Sequence, residues 1–543
     1  MGDGTYDYVI VGAGSAGCVL ANRLTEDPGT SVLVLEAGPS DDCDEVRIPA
    51  AFYRLFRTQR DWAYHTEEQK QLQGRRLYWP RGRMLGGCSS INAMIYIRGN
   101  RLDYDTWRDV HGCTGWGYAD LLPYFRRAED QARGPSPYHG AGGPLRVEDL
   151  REVHELSRAF LAAAVDWGLP PTDDFNGAEQ DGVGQYQVTQ RRGRRWSTAD
   201  AYLRPAADRP NLTVHTDALV TRVLLDGGRA TGVTYRHRGV EHTARVDAEV
   251  ILAGGAINSP QLLMLSGIGP AAHLREFGLD VVADLPGVGA NLHDHPAVPV
   301  LWFTQGTGDL YAAENALGML RWFVARRGGF TSNVAETGAF LRTRDDLPAP
   351  DIQLHVAPAM FVNHGLTEPP GVGFTIGPTL VSVASRGALR LRTTDPRLSP
   401  LIEPNYLDAA EDLESLVAGI TVARQIGERP PLRRFLRSEY LPGREVRSTE
   451  ELREYVRSAA ETLYHPVGTC AMGTGPDAVV DPELRVRGVT GLRVVDASVM
   501  PTVPRGNTNA PTIALAERAS DLIRGRVPLA ASAPAMSSAG GAR

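Results

Sequence analysis

The sequence predicts an α/β fold whose principal domain is assembled from stretches far apart in the chain. Three observations carry that prediction. A strand, a glycine turn, a helix and a second strand follow one another within the first 38 residues. A further apolar strand ending in glycines lies near residue 250, and the same pattern returns near residue 491. The material between has a different character. One discontinuous domain with a second lobe therefore accounts for 543 residues more economically than three or four units in a row at roughly 150 residues each.

Tyr8-Val9-Ile10-Val11 is an apolar run of strand length, and Gly12-Ala13-Gly14-Ser15-Ala16-Gly17 follows at once. Cys18 to Leu24 then has apolar residues at 20, 21 and 24, a helical spacing, until Asp27-Pro28-Gly29 breaks it. Ser31 to Leu35 is apolar without alternation, as a parallel strand buried on both faces requires, and it runs into Glu36-Ala37-Gly38. Residues 39 to 115 are irregular and aromatic-rich, with a glycine-rich knot at 82 to 92. Helices are expected over 118–131 and 151–168, and strands over 212–215, 220–225, 232–235 and 250–253. From 297 to 465 strands alternate with amphipathic helices and glycine fingerprints are absent; Gly491 to Ala497 restores the strand pattern, and a helix is expected over 511–525. Residues 529–543 are small and polar, an expected disordered tail.

Composition narrows the classes. Apolar residues are 42% and charged residues 22%, ordinary globular usage that argues against disorder and fibrous repeats. A net charge of −7 argues against a nucleic-acid partner; the basic residues are almost all arginine, with Lys70 the one lysine. Cys18, Cys43, Cys88, Cys113 and Cys470 are scattered and form no CxxC pair, so neither a disulfide framework nor a zinc ribbon is expected. The apolar run near the N-terminus is too short for a signal segment, and no stretch reaches the ~20 apolar residues of a membrane span. A soluble cytoplasmic protein is expected, with peripheral membrane contact left open.

Gly12-x-Gly14-x-x-Gly17 between strand and helix has a physical purpose. The first glycine permits the tight turn, the second lets backbone approach a pyrophosphate, and the third lets helix and strand pack closely. The helix N-terminus offers N–H groups and the positive end of its dipole to the phosphates. Glu36, at the end of the second strand, suits a ribose hydroxyl and disfavours a 2′-phosphate, and hence NADP. The fingerprint occurs once. That leans toward a flavin over NAD, although local pattern alone leaves both open.

Four segments together resemble the glucose–methanol–choline (GMC) oxidoreductases: Pro80-Arg-Gly-Arg-Met-Leu-Gly-Gly-Cys-Ser-Ser-Ile-Asn92, Gly255-Ala-Ile-Asn-Ser-Pro-Gln to Pro270, Tyr464-His-Pro-Val-Gly-Thr-Cys-Ala-Met-Gly473, and Asp496 to Pro501 running on to Asn507-Thr-Asn-Ala-Pro-Thr-Ile513. The resemblance runs from about residue 5 to 526 and is nearest to the choline-dehydrogenase-like and alcohol-dehydrogenase-like branch, notably over Asp61 to Trp107. It implies a Rossmann-type FAD-binding domain interrupted by a substrate domain built on an antiparallel sheet backed by helices. The expected boundaries are 1–150 with 205–296 and 466–528 for the first, and 151–204 with 297–465 for the second. The positions matching the family's flavin contacts are Gly12, Gly14, Ser15, Gly17, Glu36, Ala37, Leu85, Gly86, Asn92, Ala93, Val220, Asp496 and Ala497, with Asn509 a flavin or scaffold contact. Some members tether FAD through a histidine where this chain has Ile91, so the resemblance implies noncovalent FAD.

It also implies oxidation of an alcohol to a carbonyl. Removing the hydrogen of a carbinol as hydride requires the hydroxyl proton to leave, so a base and a partner for the developing alkoxide are needed. Imidazole, with an intrinsic pKa near ~6.5, suits the base. His465, placed in a loop after a helix expected to end near Leu463, matches the family's active-site histidine, and Asn507 its His-or-Asn partner. The implied partners are a small-molecule alcohol and an electron acceptor, O2 or a quinone. A non-redox flavin enzyme of the same fold, of hydroxynitrile lyase or fatty-acid photodecarboxylase type, is the alternative. A flavin-bearing scaffold without turnover has no physical need for the His465 and Asn507 pair.

Other residues have plainer readings. His293-Asp294-His295 lacks a third ligand at motif spacing and reads as a structural loop rather than a metal site. Cys88 and Cys470 read as small buried side chains rather than redox thiols. Glu336 reads as a satisfied carboxylate before a cation partner in the substrate cavity. The amphipathic stretch Leu320 to Arg327 reads as a packed helix before a membrane contact or pocket cover. No Gly-x-Ser-x-Gly elbow is present, which argues against a serine hydrolase.

Overall fold

The structure, a computed structural model, describes residues 4–532. Two sheets organise them. In the first, the strands Leu212–His215, Val32–Leu35, Thr5–Val11, the second half of Val240–Leu252, and Leu492–Val494 lie side by side and parallel. Val9 faces Val250, and Val250 faces Leu492, so the N-terminal, middle and C-terminal stretches meet in one core. The first half of Val240–Leu252 turns outward and pairs antiparallel with Arg229–His237, which pairs with Ala218–Asp226. Val9, Ile10, Val32, Val34, Val250, Ile251 and Leu252 are wholly buried, which is why these strands read as unbroken apolar runs.

The second sheet is antiparallel throughout. Its order is Leu436–Leu441, Val300–Thr304, Gly373–Leu380, Ile352–Ala357, Thr337–Leu341 and Gly182–Gln185, with Pro296–Ala297 pairing both Gly373–Leu380 and Glu461–Thr462. The helix Ala410–Gly427 lies on its back. Gly419 makes that approach feasible, since a Cβ there would stand 2.9 Å from Pro378 and 3.5 Å from Ile352. The expected architecture of a parallel nucleotide-type sheet plus an antiparallel sheet backed by helices is what the chain forms.

Element ends differ from the sequence reading in instructive ways. The helix expected over 118–131 stops at Ala128, because Glu129–Gln131 is extended and pairs with Leu145–Asp149, its glutamate drawn inward by Arg98. The C-terminal helix is Asn509–Ile523, and the one expected over 151–168 is Glu155–Trp167. The helix thought to end near Leu463 is Thr449–Ala459. Ala460 turns extended and the chain then forms the short strand Glu461–Thr462. Within 151–204, the strand Gly182–Gln185 joins the second sheet, while the turn Ala199–Leu203 packs on the first unit, Tyr202 O accepting from Asn22 Nδ2 at 2.7 Å. Of the expected tail, Leu529 N donates to Tyr124 Oη and Ser532 N to Ala119 O; residues 533–543 lie outside the described residues.

Glu517, fully buried on the C-terminal helix, ties three distant stretches together. Its carboxylate accepts from Arg23 (2.9 and 2.8 Å), Arg127 (2.7 Å) and Tyr202 Oη (2.8 Å). Removing one member of such a cluster leaves the others' charges uncompensated. Glu517→Ala is expected to lower stability by about 3 kcal/mol, the low end of the usual range because both guanidiniums keep some contact with water. Denaturant unfolding of the full chain checks it, and a change under about 1 kcal/mol, typical of exposed pairs, would contradict it.

Candidate active site

Between the two sheets lies a cavity of about 420 Å³, within the range of small-molecule and cofactor sites. At one end the glycine turn does what its spacing requires. Gly12 has φ +99°, and a Cβ there would meet Ala253 O at 2.7 Å; a Cβ on Gly17 would fall 2.0 Å from Gly12 O. Gly14 lies open to the cavity, with Gly87 of the glycine-rich knot packed on it, 2.7 Å from Gly14 Cα to where a Gly87 Cβ would stand. The helices Ser15–Leu24 and Asn509–Ile523 both begin at this wall without a side-chain cap, so their first N–H groups face the cavity. Ser15 Oγ donates to Asn509 Oδ1 at 2.7 Å, joining the two ends. Two uncapped N-termini converging on a glycine floor form an anion cradle.

Glu36 stands beside it, accepting from Ala13 N and Gly38 N at 2.9 Å each, while burial pushes its carboxyl up to about 7. Gly12, Gly14, Ser15, Glu36, Ala37, Asn92, Ala93, Val220, Asp496, Ala497 and Asn509 all line the cavity. Gly17, Leu85 and Gly86 do not. Gly17 sits beneath the turn, and Gly86 braces it by donating its N–H to Ala13 O at 2.8 Å. Asp496 lines the wall with its acceptors already used: Oδ2 takes Gly255 N and Ser259 Oγ, and Oδ1 takes Ser498 N and Oγ. Ile91 also lines the wall, amid Phe52, Phe56, Tyr78 and Met84.

At the other end the structure brings His465 and Asn507 together. Asn507 Nδ2 lies 3.3 Å from His465 Nε2, and His465 Nδ1 lies 3.0 Å from His295 Nδ1. Hydrogen bonding assigns the tautomers. The amide nitrogen Nδ2 can only donate, while Asn507 Oδ1 faces Gln353 Nε2, so Nε2 of His465 holds a lone pair and His465 Nδ1–H then donates to His295 Nδ1. Burial holds the His465 ring well below the usual imidazole pKa, and His295, His355 and Arg81 add to it. Burial likewise holds His295 and His355 down at about 3. The ring is therefore neutral, with its free nitrogen toward the cavity.

Asp294, read from the sequence as part of a structural loop, is buried and positions the His465 loop. It accepts His465 N at 2.6 Å, Thr462 Oγ1 at 2.5 Å and Tyr406 Oη. The loop holding it runs antiparallel to the histidine loop: Leu463 N donates to His295 O, and His293 and Val467 exchange both backbone bonds. No local signal announces this, since 170 residues separate the two rings. His355 was not singled out in the sequence. It lines the cavity, bonded through Nδ1 to Thr379 Oγ1, and its Nε2 has no partner among the described residues; the same is true of Asn333 Oδ1.

The remaining candidates fall elsewhere. Glu336 does not line the cavity; its carboxylate accepts from His154 N, Ser157 Oγ and Ser332 Oγ at 2.7–2.8 Å. Among the described residues no cluster of three His, Cys, Asp or Glu side chains is arranged to hold a metal, and His293 bonds to Asn291 Oδ1 and Val503 N instead. Cys470 is buried with its thiol pushed up by burial, whereas Cys88 lines the cavity.

Comparison with known proteins matches residues 6–297 and 383–516 to the two GMC oxidoreductase models. An alcohol dehydrogenase [acceptor] of Pseudomonas putida is 44% identical over 534 residues, 97% of each chain. The mitochondrial choline dehydrogenase of Homo sapiens is 46% identical over 537 residues, 96% of this chain and 90% of that one. A solved structure concerned with the effect of a mutation on FAD modification in Aspergillus oryzae formate oxidase superposes with a TM-score of 0.91 at 28% identity, covering 97% of this chain and 99% of that one.

Asp294→Ala should leave the cavity's nucleotide end intact and shift the His465 loop. A misplacement of that kind slows turnover by about 10²-fold. The prediction fails if the variant, loaded with FAD to the normal level, turns over at the parent rate.

Proposed function

The chain belongs to the GMC oxidoreductase family, and from that premise we propose that it oxidises an alcohol to its carbonyl compound with noncovalently held FAD. In this reading His465 is the base and Asn507 the partner of the alcohol oxygen. The observation that carries it is a neutral imidazole whose Nε2 meets Asn507 at 3.3 Å on the wall of a cavity that also holds the anion cradle. The residues fit the cofactor: two uncapped helix ends for the pyrophosphate, Glu36 for a ribose, and an apolar wall including Val220 and Ile91. Ile91 offers no nucleophile for a covalent link. FAD, when bound, accepts the carbinol hydrogen with its electron pair.

The protein's own groups handle the proton and the oxygen. The alcohol O–H donates to His465 Nε2 and transfers its proton there, while Asn507 Nδ2–H, released from the ring, turns to the oxygen as negative charge develops. His295 Nδ1 continues to accept from His465 Nδ1–H, so the ring keeps its orientation through the transfer. Its low basicity ensures that the proton is given up again. The acceptor that reoxidises the cofactor is O2 or a quinone, which steady-state assays with each distinguish.

Anaerobic mixing with primary alcohols in the dark should bleach the flavin, and flavin that stays oxidised with every alcohol would favour a non-redox enzyme. His465→Ala should bind FAD normally and reduce it about 10²–10⁴-fold more slowly; near-parental reduction would remove the base from this residue. Acid precipitation should release the yellow colour into the supernatant. The pH dependence has a definite sign. A base whose pKa is lowered stays unprotonated to lower pH, so the reduction rate should hold from pH 8 down past the ~6.5 of ordinary imidazole. An acid limb centred at or above 6.5 would contradict the buried, neutral ring.

A further inference from the structure

The helix Ala316–Ala325 departs from the expectation of a packed helix. Of its large side chains, Trp322 alone is buried; its Nε1 donates to Gly193 O at 3.0 Å, and the ring packs on Ile48, Ala50, Ala51 and Phe330. Leu317, Leu320, Phe323 and Val324 are 75%, 58%, 49% and 79% exposed. They are four of the thirteen large apolar side chains left exposed among the described residues, and the others are scattered from Val110 to Leu529. Four apolar groups within eight residues, held outward by a tryptophan anchored inward, form a patch rather than the scatter normal for a surface.

Charge identifies what covers it. The helix and its exit carry Arg321, Arg326 and Arg327 and no acidic residue. The neighbouring hairpin adds Arg191, Arg192, Arg194 and Arg195, again with no acid. Arg151 Nη1 donates to both Arg192 O and Arg326 O, tying the hairpin to the end of the helix. Arg321 pairs with Glu152, Arg194 approaches Asp200 at 3.6 Å, and Arg195 is buried. Among the described residues the guanidiniums of Arg191, Arg192, Arg326 and Arg327 form no salt bridge; Glu148 Oε2 takes Arg192 only through its backbone N–H at 3.0 Å, and the Arg326 guanidinium lies over the Trp322 ring. This basic cluster stands on a chain whose net charge is −7. A second copy of this face would bring the same arginines and no acid from its helix or hairpin to pair with them, whereas anionic headgroups complement them and acyl chains cover the apolar residues.

We propose that this helix docks the protein in the plane of an anionic lipid surface. Among the described residues no helix is long and apolar enough to cross a membrane, so the contact is peripheral. Ala50 and Ala51, which pack on Trp322, adjoin Phe52 on the cavity wall, so docking would set that apolar wall beside the bilayer.

The test is co-sedimentation of the full-length, FAD-loaded protein with vesicles of phosphatidylcholine alone or mixed equally with phosphatidylglycerol. Binding is expected on the mixed vesicles, weakening as salt is raised, and little on phosphatidylcholine alone. Leu320→Glu with Phe323→Glu should reduce binding at least about tenfold, and Arg192→Glu with Arg327→Glu should remove the preference for anionic lipid. Unchanged FAD content and unchanged oxidation of a water-soluble alcohol show that these surface variants fold. The proposal is overturned if the parent stays in the supernatant, or if the Leu320/Phe323 variant sediments equally well. It is also overturned if light scattering finds a dimer that Leu320→Glu converts to a monomer, since a second copy would then cover the face.

Discussion

In the proposed oxidation the chemistry depends on an imidazole sealed where a positive charge has nothing to pair with. His465 has a carboxylate one loop away, but Asp294 gives its lone pairs to a backbone N–H, a threonine and a tyrosine. In a triad of the Ser-His-Asp kind the carboxylate bonds the ring and stabilises its protonated form. Here the ring's rear nitrogen meets a neutral His295, with Arg81 and His355 nearby opposing any added charge. The acid therefore places the base without strengthening it. A ring arranged this way rests unprotonated at Nε2, and a captured proton is held loosely, which suits a base that must be reset in every cycle.

That placement is possible only because distant stretches are stitched to a common frame. Apolar burial joins the parallel strands, but it is non-directional and fixes no angle between the units. Buried acids supply the direction. Glu517 holds the C-terminal helix to Arg23 and Arg127, Asp496 caps the turn at Gly255 and Ser259, and Asp103 binds Arg505 two residues before Asn507. Each carboxylate is surrounded by donors from a different part of the chain, so it loses its hydration only when the parts are in place. The cradle and the base thus face one cavity although they come from opposite ends of the sequence.

What was legible in the sequence follows the range of the physics. Gly12, Gly14 and Gly17 could be read because a tight turn, an open floor and a close approach each exclude a Cβ within a few residues. The parallel strands could be read because burial on both faces forbids alternation. His465 and Asn507 were read through resemblance, since a single histidine carries no local signature. His295, Asp294 and His355 were not legible. The roles of His295 and Asp294 arise from antiparallel pairing between Pro296–Ala297 and Glu461–Thr462, and that of His355 from its place on Ile352–Ala357, registers set by tertiary structure. The first of these pairings also ends the preceding helix at Ala459 instead of near Leu463, so one unseen register accounts for both the misplaced helix end and the unread roles of Asp294 and His295.

The helix at 316–325 marks a different boundary of inference. Amphipathic spacing states that a helix has two unlike faces; it does not state which face the rest of the chain covers. Trp322 decides the matter, because a buried indole needs an acceptor for its N–H and Gly193 O supplies one. Once that ring is inside, Leu320 and Val324 are turned outward by the geometry of the helix, and no other described element approaches to bury them. An apolar face left bare by the fold, ringed by cations on an otherwise acidic protein, has its complement outside the chain.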